Sequence, residues 1–223
     1  MAETNIDWRL ASEHEKLHFR TRDWWESLHI SYSFNCTNVP IKKHQHGGTA
    51  LFSINKSAHR VCGKGVDPSL LGRWCWTRYK GRNNHSLRVI SAYRPNPPGG
   101  PYTVYAQHQH FFATQQDPRC PRRAFVEDLC KTIKEFLSSG DHIILLLDGN
   151  SSMKSSDLSL ALNACTLREV LFDRYGTNGP STFIRNTTRT TIDGIWATPG
   201  IAILAGGYFS YDEVFPSTDH RCL

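Results

Sequence analysis

Hydrophobic and polar positions alternate along this chain with two periods. Over residues 122–139, Phe125, Leu129, Ile133 and Leu137 recur four apart, and Val126, Cys130 and Phe136 widen the stripe. That spacing predicts an amphipathic helix, stopped at Ser138-Ser139-Gly140 by a glycine in the usual place. Directly after it, Ile143 to Leu147 are five aliphatic residues in a row, ending at Asp148-Gly149-Asn150. A short unbroken apolar run predicts a strand buried on both faces, as when layers cover both sides of a sheet. Residues 157–171 predict a second helix with Asp157 as its N-cap.

The remainder is strand-rich. The segments 49–54 (TALFSI), 73–79 (RWCWTRY), 86–93 (SLRVISAY) and 191–197 (TIDGIWA) carry β-branched and aromatic residues between Gly, Asn and Pro turns. Period two puts Trp74 and Trp76 on one face of their strand. Residues 80–86 predict a hairpin connection, and 94–101 (RPNPPGGP) a surface loop. No internal repeat or low-complexity linker interrupts the pattern. The fold class expected is a single mixed α/β domain over residues 1–223, a length sufficient for one sizeable core.

Composition changes this picture little. No apolar run approaches the roughly 20 residues of a membrane span, and the N-terminus lacks an apolar segment behind a basic start. An intracellular protein, nuclear or cytoplasmic, without a membrane partner is expected. Seven cysteines form no C-x-x-C pair, and the odd count argues against a complete disulfide framework. Cys130 reads as a small core residue. The H-x-H pairs in "KKHQHGG" and "AQHQHFF" have no partner cluster at zinc-like spacing. A formal charge of +6 favours a polyanionic partner such as nucleic acid, with Arg78 and Arg94 as candidate contacts.

The chemistry gathers where strands end. Tyr93-Arg94-Pro95-Asn96 follows one strand, and Asp148-Gly149-Asn150 follows another. Asp193 lies inside an otherwise apolar, β-branched strand, and Asp219-His220 stands near the C-terminus. A carboxylate in an apolar strand is costly unless it is paired or bound to a metal.

This set resembles the endonuclease/exonuclease/phosphatase superfamily of metal-dependent phosphoesterases, whose motifs appear here in order. Glu3 in "AETN" resembles the metal-binding glutamate of the Q-E-T segment, and Tyr93 in "AYRPN" the tyrosine of the Y-x-P-N strand end. Asp148 and Asn150 resemble the D-x-N pair, Asp193 the I-D-Y-I aspartate, and "STDHRCL" the closing S-D-H. "GGTALF" and "STFIRN" match two further segments, and "RDWWE" with "GGTALF" is similar in layout to the branch that accompanies reverse transcriptases in mobile elements.

The resemblance implies a two-layer β-sandwich flanked by helices and a divalent-metal-dependent phosphodiester hydrolase. It implies an endonuclease on DNA or RNA, with Mg2+ or Mn2+ held by Glu3 and Asp219. Asp148 would orient or deprotonate the attacking water, and Asn150 would bond water or phosphate. Asp193 would fix the tautomer of His220, which donates to phosphate, and Tyr93 would steady the phosphate or leaving oxygen. The alternatives are an inactive remnant that binds nucleic acid, or a phosphoesterase acting on small substrates.

The pattern departs at Ala2, Gly194 and Thr218, where the family has glutamine, an aromatic residue and serine. The family's first strands would precede Met1, so the chain is expected to lack them, to leave sheet edges unpaired, and to hold Glu3 without a rigid support.

Overall fold

The structure is a computed structural model. It describes residues 1–6, 21, 23–37, 45–176, 179–204, 207–209, 219–221 and 223. Arg22, Lys42, Lys43, His44, Ser217, Thr218 and Cys222, which belong to segments quoted above, lie outside the described residues.

A six-stranded sheet forms the centre. Its strands are β3 (Val61–Val66), β4 (Trp74–Lys80), β5 (Ser86–Tyr93), β6 (Asp141–Asp148), β7 (Arg168–Glu169) and β10 (Asp193–Ala197). They lie in the order β3-β4-β5-β6-β10-β7. β5 and β6 are parallel, joined through α1 (Val104–Thr114) and α2 (Pro121–Ser138), while the other neighbours are antiparallel. A two-stranded ribbon, β1 (Leu28–Ser33) with β2 (Thr49–Ile54), makes a second layer. β8 (Phe183–Arg185) and β9 (Thr188–Thr190) form a short hairpin before β10.

Alternation along β4 explains the layering. Trp74 and Trp76 share a face, as predicted, and meet Phe125 and Phe136 of α2 edge-on at 6.0 and 5.4 Å. Cys75 and Thr77 point the other way, onto the ribbon, where Thr77 bonds Ser31 at 2.7 Å and the Cys75 thiol reaches the Ser31 carbonyl. The helix side is therefore an apolar core: Ile90, Ile143, Leu145 and Leu147 pack against Phe125, Leu129 and Ile133. The ribbon side is sealed by hydroxyl pairs, with Ser53 and Tyr79 also bonded at 2.6 Å.

β6 departs from the expectation of two equally buried faces. Ile143, Leu145 and Leu147 are buried, while Ile144 and Leu146 are only partly covered. Gly65 of β3 shows why a strand carries glycine here, since a Cβ would sit 2.4 Å from the Trp76 ring.

The predicted helix 157–171 is broken in two. α3 (Asp157–Ala164) ends at Cys165, Thr166 takes a φ of +62°, and Arg168–Glu169 becomes β7, paired to the edge of β10. α4 (Val170–Tyr175) follows. The edge of β10 offers hydrogen bonds that the helical repeat could not foresee. The buried Glu169 carboxylate accepts from the amides of both Phe172 and Ile195. The N-cap of α3 is Ser156, which exchanges hydrogen bonds with Ser159; Asp157 lies in the first turn. The pattern also missed α1, whose buried face of Val104, Gln107, His108 and Phe112 has helical spacing but half polar content.

Candidate active site

Register brings three of the predicted residues together. Tyr93 is the partner of Asp148 across β5 and β6, and Asp148 is the partner of Asp193 across β6 and β10. All three end or begin their strands at one edge of the sheet.

His220 arrives from elsewhere. The backbone amide of Ile184 donates to the Asp219 carbonyl and that of Arg221 to the Thr182 carbonyl, laying the 219–221 segment along β8. The Phe183 ring meets the imidazole edge-on at 5.1 Å. So held, His220 places Nδ1 3.1 and 3.2 Å from the two Asp193 carboxylate oxygens. The hydroxyl of buried Thr182 accepts from the amides of Ile192 and Asp193, which fixes the start of β10. The "STFIRN" segment thus supports the site.

Glu3 is not loosely held, contrary to the expectation. The Ala50 amide donates to the Met1 carbonyl, the Met1 ammonium donates back to the Ala50 carbonyl, and the Ser91 hydroxyl donates to the Met1 carbonyl. Beyond Glu3, the amides of Thr4 and Asn5 donate to the carbonyls of Gly48 and Gly47. These bonds hold Glu3 at a φ of +54°, a conformation L-residues rarely adopt, and occupy part of an edge of β2 expected to be unpaired. Gly48 permits the approach, because a Cβ there would meet the Thr4 hydroxyl at 2.7 Å. The Tyr93 hydroxyl then donates to Glu3 Oε1 at 3.1 Å.

The Asp148 turn is built differently from the usual reading of Asp-Gly-Asn. Asn150, not Gly149, takes the left-handed conformation, at φ +46°. Gly149 is required for space: a Cβ would lie 2.4 Å from Met153 and 2.8 Å from Leu158. The Asn150 amide nitrogen donates to the Arg94 carbonyl at 2.7 Å, and the Asn150 carbonyl accepts from Arg122 at 3.0 Å. Arg122, which the sequence did not single out, also bonds the Pro95 carbonyl and so ties both strand-end loops to α2.

Charge accumulates here. Burial, then the Asp193 charge, pushes the Asp148 carboxyl up to about 8; His220 opposes the shift and Glu3 adds to it. Burial disfavours a charged His220, yet the hydrogen bond it donates to Asp193 and the charges of Asp193, Asp148 and Asp219 raise it to about 9. Burial, followed by the charges of Glu3 and Asp148, raises the Tyr93 hydroxyl far above its ordinary value, so it stays a donor.

Asp148, Asp193 and His220 bring ligand-type atoms within 4.8 Å of one another. Asp193 favours the protonated form of His220 and engages its Nδ1, so that nitrogen has no lone pair to give a metal. Carboxylate oxygens remain, and oxygen ligands suit Mg2+ or Mn2+. Asp219, exposed, lies beside His220 in the chain.

The two arginines predicted as nucleic-acid contacts are both ion-paired. Arg94 is 2% exposed, with its guanidinium bonded to Asp157 and Ser151, so it braces the site from inside and offers no surface to nucleic acid. Arg78 pairs with Asp141, which also holds Arg88, at the far end of the strands that carry Tyr93 and Asp148.

No protein-family model and no curated protein matches the sequence. Solved structures do match. A 3' phosphatase, NExo, from Neisseria, bound to product DNA hairpin, aligns over 99% of this chain and 84% of its own, with a TM-score of 0.59 and 14% identity. An endonuclease/exonuclease/phosphatase family protein from Leptotrichia buccalis aligns over 94% of this chain and 74% of its own, with a TM-score of 0.56 and 9% identity. A mannosyl-6-phosphatase from Bacteroides thetaiotaomicron aligns over 82% and 68%, with a TM-score of 0.51 and 13% identity. The chain has the endonuclease/exonuclease/phosphatase fold, with a central six-stranded sheet and flanking helices. Among the described residues, no helix is long and apolar enough to cross a membrane.

Proposed function

We propose that residues 1–223 act as one domain, a divalent-metal-dependent phosphodiester hydrolase that cleaves DNA or RNA as an endonuclease. One observation carries this reading: Tyr93, Asp148 and Asp193 stand side by side across three adjacent strands, with His220 hydrogen-bonded to Asp193. Structures of this fold include a phosphatase bound to product DNA, and the chain's positive charge suits a polyanionic substrate.

Glu3, with Asp219, would hold Mg2+ or Mn2+. Bound there, the ion supplies Lewis-acid polarisation of a phosphate oxygen and neutralises charge on the phosphoryl group. The chain's own residues do the rest. Asp148, its carboxyl pushed up to about 8, takes a proton from the attacking water once it has ionised, so activity rises toward mildly alkaline pH. Asn150, locked by its bond to the Arg94 carbonyl, fixes the turn that aims Asp148. His220 presents Nε2–H to a phosphate oxygen because Asp193 occupies Nδ1. Tyr93 steadies the Glu3 carboxylate through its hydroxyl and stands next to the phosphate site.

The test is nicking of supercoiled plasmid by the purified chain with and without Mg2+, alongside Asp148→Ala and Asp219→Ala. Metal-dependent nicking abolished by either substitution supports the reading, and equal nicking by both variants and the parent overturns it. A small phosphorylated substrate is the second reading, favoured by the sugar-phosphatase neighbour. Hydrolysis of a sugar phosphate with no action on plasmid would select it. Salt-sensitive nucleic-acid binding without metal-dependent turnover of either substrate would mark an inactive binding protein.

A further inference from the structure

Cys130 and Cys165 meet across the groove between α2 and α3, on the helix layer of the sheet. Cys130 sits in the middle of α2, half-buried, and Cys165 closes α3 as its C-cap residue. The Cys165 thiol donates to the Cys130 backbone carbonyl at 3.9 Å, which sets the two residues side by side. They line an open groove of about 540 Å³ with Lys131, Lys134 and Glu127, wide enough to admit a small oxidant. The pattern reading of Cys130 as core filler accounts for its apolar neighbours but not for a second thiol placed against it.

We infer that Cys130 and Cys165 form a reversible thiol–disulfide site, in which a hydroperoxide oxidises the pair and staples α2 to α3. The pair is asymmetric in the way this chemistry requires. The adjacent Cys130 thiol lowers the Cys165 thiol to about 7 against the opposing effect of burial, and Lys134 lowers it further. The adjacent Cys165 thiol, then burial, raises Cys130. Cys165 is the attacking thiolate and Cys130 the resolving thiol.

In the first step the Cys165 thiolate attacks one peroxide oxygen. The O–O bond breaks, hydroxide leaves and is protonated to water, and Cys165 becomes a sulfenic acid. In the second, Cys130 loses its proton and attacks the sulfenic sulfur. The S–S bond forms as the S–O bond breaks, and a second water leaves. Two thiols give up two electrons, and one hydrogen peroxide is reduced to two waters. The cross-link would close a loop that contains β6 and the Asp148 turn, and would join α3, whose Asp157 holds Arg94, to α2, whose Arg122 holds the Pro95 and Asn150 carbonyls.

The experiment treats the full chain with one equivalent of hydrogen peroxide and maps its peptides without reduction. A Cys130–Cys165 cross-linked peptide that dithiothreitol releases is the expected result. Cys130→Ser should stop the cross-link and leave a Cys165 sulfenic acid that dimedone captures, and Cys165→Ser should leave Cys130 reduced. Recovery of both residues as free thiols, under conditions that oxidise the exposed Cys36, Cys62 or Cys120, overturns the inference. So does a Cys165 sulfenic acid that persists in the parent chain beside reduced Cys130. The parent map decides the matter by itself if either variant fails to fold.

Discussion

The Tyr93 hydroxyl donates a 3.1 Å hydrogen bond to Glu3, joining residues ninety positions apart. Tyr93 is 2% exposed and anchored at the end of β5, so it is the rigid member of the pair. Glu3 is oriented by it and by the backbone bonds on either side. Tyr93→Phe removes this donor and little volume. It is expected to lower metal affinity or rate by about 10–100-fold, the usual effect of losing a partner that orients a ligand. A Mg2+ titration of nicking activity measures it, and an unchanged metal requirement would show that Glu3 needs no such support.

Asp193→Asn tests the His220 pair. After burial, which acts the other way, the hydrogen bond and charge of Asp193 are the main causes of His220's elevation to about 9. Without that charge His220 loses its proton at lower pH, so the alkaline limb of kcat against pH should move down by about 1–2 units. A limb that stays in place would remove His220 from the proton-donating role.

His108 predicts acid sensitivity independent of the site. It is fully buried in α1, with Nε2 on the Leu71 carbonyl and Nδ1 without a partner. Burial, then the nearby Arg73 charge, lowers it to about 3, with Asp67 and the Leu71 bond opposing. A depressed pKa stabilises the fold above the ordinary value near 6.5. As pH falls below that, the unfolded chain binds a proton that the native His108 refuses, and stability drops by about 1.4 kcal/mol per pH unit from this group. Urea unfolding from pH 7 to 4 should show that slope in the parent and a shallower one in His108→Gln.

Gly149→Ala should destabilise by about 1–3 kcal/mol, because the new methyl overlaps Met153 and Leu158. Asn150→Gly, at the left-handed position, should change stability little but should reduce activity, since the bond to the Arg94 carbonyl is lost. Thermal melts with nicking assays separate the two effects. The opposite ranking would return the turn to the simple reading in which the glycine bends the chain.

Asp141 carries two arginines at the far end of the sheet. Asp141→Ala leaves Arg88 buried without its partner and should cost about 3–5 kcal/mol. Nicking measured well below the melting temperature should persist. Arg78→Ala should leave the salt dependence of nucleic-acid binding unaltered, and a shallower slope would restore Arg78 as a phosphate contact.

Much of this was legible in the chain, and the reason is local. The four-residue stripe of α2, the aliphatic run of β6 and the paired tryptophans of β4 each express one period, which burial on one side enforces. The site residues stood out because polar groups closing apolar strands are costly without a use. What failed was also physical. α1 hides its face behind Gln107 and His108, and β1 and β3 are short, polar or glycine-bearing strands defined by their neighbours. A sequence also does not show that Asp157 and Asp141 pair with Arg94 and Arg78.

The sequence by itself determined the main elements and singled out Tyr93, Asp148, Asn150, Asp193 and His220 as candidates, since strand ends and turn chemistry are written in neighbouring residues. Only the tertiary structure decided that Tyr93, Asp148 and Asp193 share a register and that His220 meets Asp193. It alone set Glu3 firmly beneath the Tyr93 hydroxyl and placed the Cys165 thiol on the Cys130 carbonyl across a helix pair. Those relationships depend on sheet pairing and helix packing between distant segments, and no periodicity within one segment carries that information.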